Sequence, residues 1–523
     1  MSDDEGSRSS MMREGGKLSM LTMCSRVLGL VREMTKAAFM GTGALAEAFT
    51  VSFIVPNFLR RLFAEGSMSA AFIPTFSAYL GDKDEDATRE FLSATLTVLT
   101  VLVLATVALG IACTPLIAYL FSSDRSETIV LTRMMFPFLA FVSLAALLQG
   151  ILNSIGVFVP SALGPILFNV CFISVPFLIG GWTANPARAM AIGVLAGGLA
   201  QALCQLPAVL RAGFRFGFIG LGRAFKNPGM RKVASLIAPT IIGMAAYNIN
   251  DLVCTSLASS VQAAAGIQYS IRLQELLLGI FAVSAGTVLL PHLTDAAIRK
   301  DWPAFSSDLG EVARTIILLT LPVAVFSMVA GREIIVLLFK TQAFDDASVN
   351  LTASVFLFHM AGLVFIALNR VLTPAFYARS DAKTPTIGGL VSFSVNIVLA
   401  FILVRPLRGP GIAISLSVAC AINTVFLAAA LGRTGTPGLK EALRTSFLYL
   451  MKILAFSIIA IVPVYFLRTS ILGAFSASGS RFVSSGVPLI IETALFASVG
   501  VGLLAITRDN VGSSLVRRFS RRK

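Results

Sequence analysis

The sequence predicts an all-α polytopic membrane protein of about 14 transmembrane helices: two parallel-repeat six-helix lobes around a central cavity, plus two extra C-terminal helices. Three observations predict it. Of the 523 residues, 56% are hydrophobic and 13% charged, and the mean hydropathy is +0.84, well outside the composition of soluble domains. Apolar runs long enough to cross a hydrocarbon layer recur along the whole chain. The chain also resembles itself at an offset of roughly 220 residues.

Taken in order, residues 1–18 form a polar tail of mixed charge without the uninterrupted apolar core of a cleavable signal, expected to be retained in the cytoplasm. Helices at 19–41 and 44–63 are weak by hydropathy because they carry charges. Segments at 92–121, 130–153, 158–181 and 188–210 complete an N-lobe spanning 19–210. The stretch 211–232 contains Arg211, Arg215, Arg223, Lys226, Arg231 and Lys232 and reads as a basic cytoplasmic linker. A C-lobe over 233–432 holds segments at 233–259, 268–290, 312–339, 350–376, 385–404 and 410–432. Helices at 447–467 and 487–507, within 433–507, fall outside the repeat, and 508–523 is a basic cytoplasmic tail. Lysine and arginine concentrate in the loops on one side, which places both termini in the cytoplasm. Basic loops against an anionic leaflet account for the net charge of +15, so no nucleic-acid partner is expected.

The repeat rests on two pairs of segments. Phe63 to Phe76 (FAEGSMSAAFIPTF) matches Phe281 to Leu293 (FAVSAGTVLLPHL), and the stretch from Phe136 matches that from Phe356. In the second pair Pro160 falls on Pro385, and Asn169 and Asn396 fall within two residues of register. Each half holds six helices, an even number, so the halves share one orientation and a substrate site is expected between the lobes near the midplane.

Charges inside apolar segments mark the candidate site, since a guanidinium at bilayer depth costs several kcal/mol unless it faces protein or water. The first helix carries Arg26, Arg32, Glu33 and Lys36. At about 100° per residue, Arg26, Glu33 and Lys36 share one broad face and Arg32 is displaced by about 120°. The second helix adds Glu47, Arg60, Arg61 and Glu65, and the eighth adds Arg272 and Glu275 one turn apart. Arginine at several of these places suits bidentate grip of phosphate oxygens. In the competing reading the charges pair internally, Arg32 with Glu47 or Arg272 with Glu275, while Arg60 and Arg61 reach the interface as anchors. Asp251, beside Asn248 and Asn250 in the seventh helix, is a candidate cation or proton site. The six cysteines are singletons without metal-type spacing, and His292 and His359 lack a carboxylate cluster, so packing roles and no cofactor are expected. Neither a nucleophile cluster nor a P-loop appears, which argues against an enzyme and against direct ATP drive.

The runs SRVLGLVRE (Ser25 to Glu33), FIVPNFLRRLFAEGSMSAAFIPTF (Phe53 to Phe76) and AFYARSDAKTPT (Ala375 to Thr386) resemble the MurJ/MviN lipid II flippases, within the superfamily that includes multidrug exporters and polysaccharide flippases. The resemblance covers nearly the whole chain. It implies a bacterial inner-membrane protein that moves lipid II, the undecaprenyl-pyrophosphate-linked disaccharide-pentapeptide precursor of peptidoglycan, to the periplasmic leaflet by alternating access. A polysaccharide-lipid flippase or a multidrug/cation antiporter of the same superfamily is the alternative. Carried over by position, substrate binding falls on Arg26, Arg32, Arg60 and Arg272, and cavity gating or ion pairing on Glu33, Glu47 and Glu275. The two last helices are similar to the pair that forms a groove for the lipid tail. Relatives with a sodium site imply a cation site at Asp251, Asn396 and Ser415, with coupling to sodium, protons or membrane potential as the options. Two departures stand out: Ile271 replaces an acidic residue common before the eighth-helix arginine, and Ala400 replaces an expected carboxylate in the eleventh helix. Lipid II, membrane lipids and other cell-wall synthesis proteins are the partners implied.

Overall fold

Every regular element in the computed structural model is a helix, among the described residues 2–62, 71–122, 124–281 and 283–514, with side chains described apart from 2–17, 19, 238–248 and 280–290. Most of the motif from Phe63 to Phe76, including Glu65, therefore lies outside the described residues, as do 515–523 and the side chain of Asn248. Among the described residues, nine helical stretches are long and apolar enough to cross a membrane. A helix satisfies all its backbone polar groups within itself, which is why an apolar chain of this kind adopts little else.

The first half of the chain runs α1 (Ser2–Met40), α2 (Ala44–Arg60), α3 (Ile73–Asp82), α4 (Glu85–Ala112), α5 (Thr114–Phe121), α6 (Arg125–Met135), α7 (Phe138–Ser154), α8 (Val159–Ile179), α9 (Pro186–Arg211), α10 (Leu221–Lys226) and α11 (Pro228–Ser260). The second runs α12 (Ala264–Phe281), α13 (Val283–Ile298), α14 (Trp302–Val329), α15 (Gly331–Phe339), α16 (Asp346–Tyr377), α17 (Lys383–Gly432), α18 (Leu439–Phe475) and α19 (Val487–Ile506). Within the described residues, each of the 14 segments read from the sequence falls mainly on helical chain, consistent with the expected count. Residues 2–18 of the polar tail are continuous with the first helix. α17, 50 residues long, bends at Arg408 (φ 53°, ψ −131°) among Pro406, Gly409 and Pro410, so it supplies two of the expected segments.

Packing divides the chain into two compact units, residues 1–265 and 266–523. The linker 211–232 docks on unit 1, where the N–H groups of Gly217 and Ile219 donate to the hydroxyls of Ser93 and Thr97 at 3.2 and 3.0 Å. α11, which the sequence placed at the head of the second lobe, packs with α2, α3, α4 and α5 and belongs to unit 1. Stacked rings of Phe72, Phe76 and Phe91, with centroids 5.4 to 6.4 Å apart, hold the core of this unit around Leu147, Ile151 and Val209.

The internal repeat is visible in helix construction. α4 is 28 residues, breaks at Cys113 before Pro115 and continues as the 8-residue α5; α14 is 28 residues, breaks at Ala330 before Gly331 and continues as the 9-residue α15. The segments read as single spans at 92–121 and 312–339 are thus each a long helix with a short continuation, because proline lacks an N–H and glycine is a weak helix former. Asp84 and Asp301 cap α4 and α14, and Asp124 and Asp345 cap α6 and α16, both pairs at roughly the 220-residue offset.

In unit 2, α16 and α17 approach at Gly362, where a Cβ would meet the Cα of Ser417 at 3.1 Å. The Ser417 hydroxyl donates to the Phe358 carbonyl at 2.7 Å, a small-residue contact of the kind that lets membrane helices close on each other. Beyond α19, Asp509 accepts from Lys452 Nζ at 2.7 Å, from the Tyr449 hydroxyl at 3.0 Å and from the Gly512 N–H at 2.8 Å. Burial disfavours its charge, but the Lys452, Gly512 and Tyr449 contacts outweigh that and hold the carboxyl below its ordinary range.

Two consequences can be measured. Gly362→Val forces α16 and α17 apart and is expected to destabilise the protein by roughly 1–3 kcal/mol in thermal or denaturant unfolding. Because the folded state lowers the Asp509 pKa, its contribution is complete above the ordinary aspartate value near 4 and fades as pH falls below it. Asp509→Asn is therefore expected to lower the unfolding temperature at pH 7 by a few degrees, with the gap to the parent closing as the melt is repeated toward pH 3.

Candidate functional site

The charged face of α1 is organised around Glu33, which is 6% exposed. Its Oε1 accepts from Arg32 Nη2 at 2.8 Å and its Oε2 lies 3.3 Å from Lys36 Nζ. Arg32 reaches round the helix to its neighbour, so its displacement on the helical wheel does not separate it from the acid. It also donates through Nη1 to Asn169 Oδ1 on α8 at 3.2 Å, and Asn169 returns its amide to the Ser25 carbonyl at 3.2 Å. The rings of Phe168 and Phe172 lie 5.9 and 5.7 Å from the guanidinium carbon, where cation–π attraction adds about 0.5–2 kcal/mol each. Arg32 is thus fixed in one rotamer with a fifth of its side chain exposed. Arg26, one side of the same helix and half-buried, makes no ion pair or hydrogen bond with any described residue. Two cations, Arg32 and Lys36, share Glu33, and with Arg26 the described side chains of this helix carry three cations to one carboxylate, an excess of positive charge.

Glu47, 2% exposed, does not pair with Arg32. Its two oxygens accept the N–H groups of Ala264 and Ala265 at 3.1 and 2.7 Å, a carboxylate set on the unsatisfied donors at the start of a helix. Arg61 pairs with Asp251 on α11 at 3.3 Å, a contact within unit 1 that the sequence did not connect. Of the candidate cation-site residues, Asp251 lies in unit 1, and Asn396 and Ser415 lie in unit 2. Ser415 is fully buried and donates to the Ile412 carbonyl at 2.7 Å, while Asn396 is 2% exposed.

Arg60 donates through Nε to Asn57 Oδ1 at 2.9 Å and borders a cavity of about 270 Å³ inside unit 1. The cavity is lined by Gln149 and Asn153 of α7, Ser161 of α8, and Gln201 and Gln205 of α9. Four amides from two helices meeting at one opening form a hydrogen-bonding surface that sequence reading missed, since uncharged glutamines raise no hydropathy alarm. Ser161 and Asn169 share α8, roughly 12 Å apart along its axis at about 1.5 Å per residue.

In unit 2, Arg272 and Glu275 form an ion pair at 2.6 Å, and both are substantially exposed, at 38% and 51%. The pairing anticipated from their one-turn spacing is present, in an exposed position where such a contact is worth little. Elsewhere in the unit, Arg468 of α18 donates to both oxygens of Glu333 at 2.6 and 2.7 Å, a part-buried clasp between α15 and α18 absent from the sequence reading. Among the described residues no group of His, Cys, Asp and Glu has metal-binding geometry.

Comparison with known proteins follows the same lines. The family model "Lipid II flippase MurJ" matches residues 36–479. A protein of Treponema pallidum (strain Nichols) described as "Probable lipid II flippase MurJ" is 44% identical across 98% of this chain and 100% of its own length. One from Burkholderia cenocepacia described as "Lipid II flippase MurJ" is 31% identical across 80% of this chain and 83% of its own. Among solved structures, "Lipid II flippase MurJ, inward closed conformation" aligns with a TM-score of 0.78 at 23% identity, covering 94% of this chain and 98% of that one. An inward-facing multidrug resistance MATE family transporter of the MOP superfamily aligns with a TM-score of 0.64 at 15% identity, over 82% and 96%. The two structural likenesses speak to fold, and the family match over most of the sequence speaks to kinship: the chain belongs to the lipid II flippase MurJ family.

Proposed function

We propose that the protein is a lipid II flippase of the bacterial inner membrane, with both termini cytoplasmic, and that Arg26, Arg32 and Arg272 bind the pyrophosphate of the headgroup. The observation that carries this reading is the positive excess on α1, where Arg32 is immobilised by Glu33, Asn169, Phe168 and Phe172 and Arg26 meets no acid among the described residues. A membrane-embedded cation without a protein counter-charge is stable only when water or an anionic ligand reaches it. A cationic cargo, as an antiporter of the superfamily would carry, needs a spare carboxylate. Glu33 is shared by two cations and Glu47 is spent on backbone donors.

The amide-lined cavity beside Arg60 supports a second subsite for the sugar and peptide part of the headgroup, which offers hydroxyl and N–H donors and carboxylates. α18 and α19 expose apolar side chains including Phe466, Tyr465 and Ile490, suited to the polyprenyl tail, which cannot cross a polar site at acceptable cost. Coupling to sodium, protons or membrane potential completes the reading, with Asp251, Asn396 and Ser415 as the candidate cation site; Asp251 pairs with Arg61 and Ser415 donates to the Ile412 carbonyl.

Depletion of the protein in cells, with lipid II exposure on the outer leaflet as the readout, tests the function. Exposure is expected to fall, and undiminished exposure with other flippases absent would reject the reading. Arg32→Ala is expected to weaken lipid II binding by roughly tenfold or more, as loss of charge-assisted hydrogen bonds does, and Arg32→Lys to recover part of it. For the cavity, Gln201→Leu with Gln205→Leu should weaken lipid II binding while leaving undecaprenyl pyrophosphate unaffected; equal loss for both ligands would remove the subsite.

A further inference from the structure

We infer that His359 is a positioning residue for anion binding: through Ser270 and Gln274 it fixes the roll of α12 and so the direction in which Arg272 points. The inference rests on the reading that Arg272 contacts the headgroup anion. Ser270, Gln274 and His359 are 0%, 4% and 1% exposed. The Ser270 hydroxyl and His359 Nδ1 are 2.6 Å apart, and the Gln274 amide donates to the His359 carbonyl. One residue of α16 thus holds two successive turns of α12, by its side chain and by its backbone.

The geometry of an α-helix turns this latch into an aiming device. Ser270 and Gln274 are four residues apart and lie within about 40° of each other, while Arg272 lies about 200° from Ser270 and Glu275 about 140°. The latch and the Arg272–Glu275 pair therefore occupy opposite faces, one buried and one substantially exposed. Gly266, one turn before Ser270 on the latch face, meets Leu351 of α16 so closely that a Cβ would stand 3.1 Å from its Cγ. Three positions at helical spacing thus bear on α16. An apolar contact surface tolerates small rolls, because slipping one methyl past another costs little direction-specific energy. A hydrogen bond between buried groups does not, since a roll leaves both partners unsatisfied. With about 100° per residue and a long arginine side chain, a roll of some tens of degrees would move the guanidinium by several Å. His359 is otherwise idle: it has no carboxylate partner and no metal-type neighbours among the described residues.

The test is a double-mutant cycle on the full-length protein in detergent, with affinity for purified lipid II read by native mass spectrometry. His359→Leu is expected to weaken binding roughly tenfold, and His359→Asn, which returns a hydrogen-bonding atom near the Nδ1 position, to restore it to within about twofold. In the Arg272→Ala background, His359→Leu should add nothing, because the residue it aims is gone. Equal loss in both backgrounds would make His359 a general stabiliser and overturn the inference, as would no loss in either. Should His359→Leu fail to accumulate, Ser270→Ala removes only the hydroxyl and is expected to give a smaller loss with the same dependence on Arg272. Arg272→Ala binding as tightly as the parent would instead refute the anion contact itself, a result distinguishable from equal loss in both backgrounds.

Discussion

An arginine inside an apolar helical unit is tolerable only when protein groups, water or an anion meet its charge, and Arg32 has four protein partners. Glu33 supplies charge, Asn169 an oxygen, and Phe168 and Phe172 the faces of their rings. The demand propagates outward. Asn169 is held in turn by the Ser25 carbonyl and Glu33 also meets Lys36, so one guanidinium ties α1 to α8. A buried polar network of this kind specifies a single arrangement because every alternative strands a donor or an acceptor.

The same logic recurs elsewhere in the molecule, with different residues. Glu47 meets the donors that open α12, Arg61 meets Asp251, Arg468 meets Glu333, and Asp509 gathers Lys452, Tyr449 and Gly512. Each of these acids meets its partners inside its own unit, and under the proposed function the cations of α1 and Arg272 meet the anionic headgroup.

Much of the fold was legible before any coordinates. Hydropathy located the helical segments, and the pair of halves at roughly the 220-residue offset reappears as two 28-residue helices with short continuations and as matched aspartate caps. The connection expected between the segments 385–404 and 410–432 is a bend at Arg408 within one long helix, where Pro406, Gly409 and Pro410 interrupt regular helix. Arg26, Arg32, Glu33, Arg272 and Glu275 stood out because charge in an apolar segment is rare. The glutamines of the cavity, Asn169 and the Ser270–His359 contact did not, since uncharged polar residues are common in membrane helices and their spacing carries no signature.

What the sequence determined by itself is the set of local preferences: which stretches enter the membrane, where prolines and glycines break them, and which residues bring charge to places that resist it. These follow from composition and from periodicities of a few residues, and they are fixed before the chain folds. Partnership was decided only in the tertiary structure. Glu47 was equally free, on sequence grounds, to take Arg32 or a pair of backbone N–H groups more than two hundred residues away, and Asp251 to take a cation or Arg61. The choice depends on distances of a few Å between segments remote in sequence, because hydrogen bonds and ion pairs lose their strength steeply beyond contact.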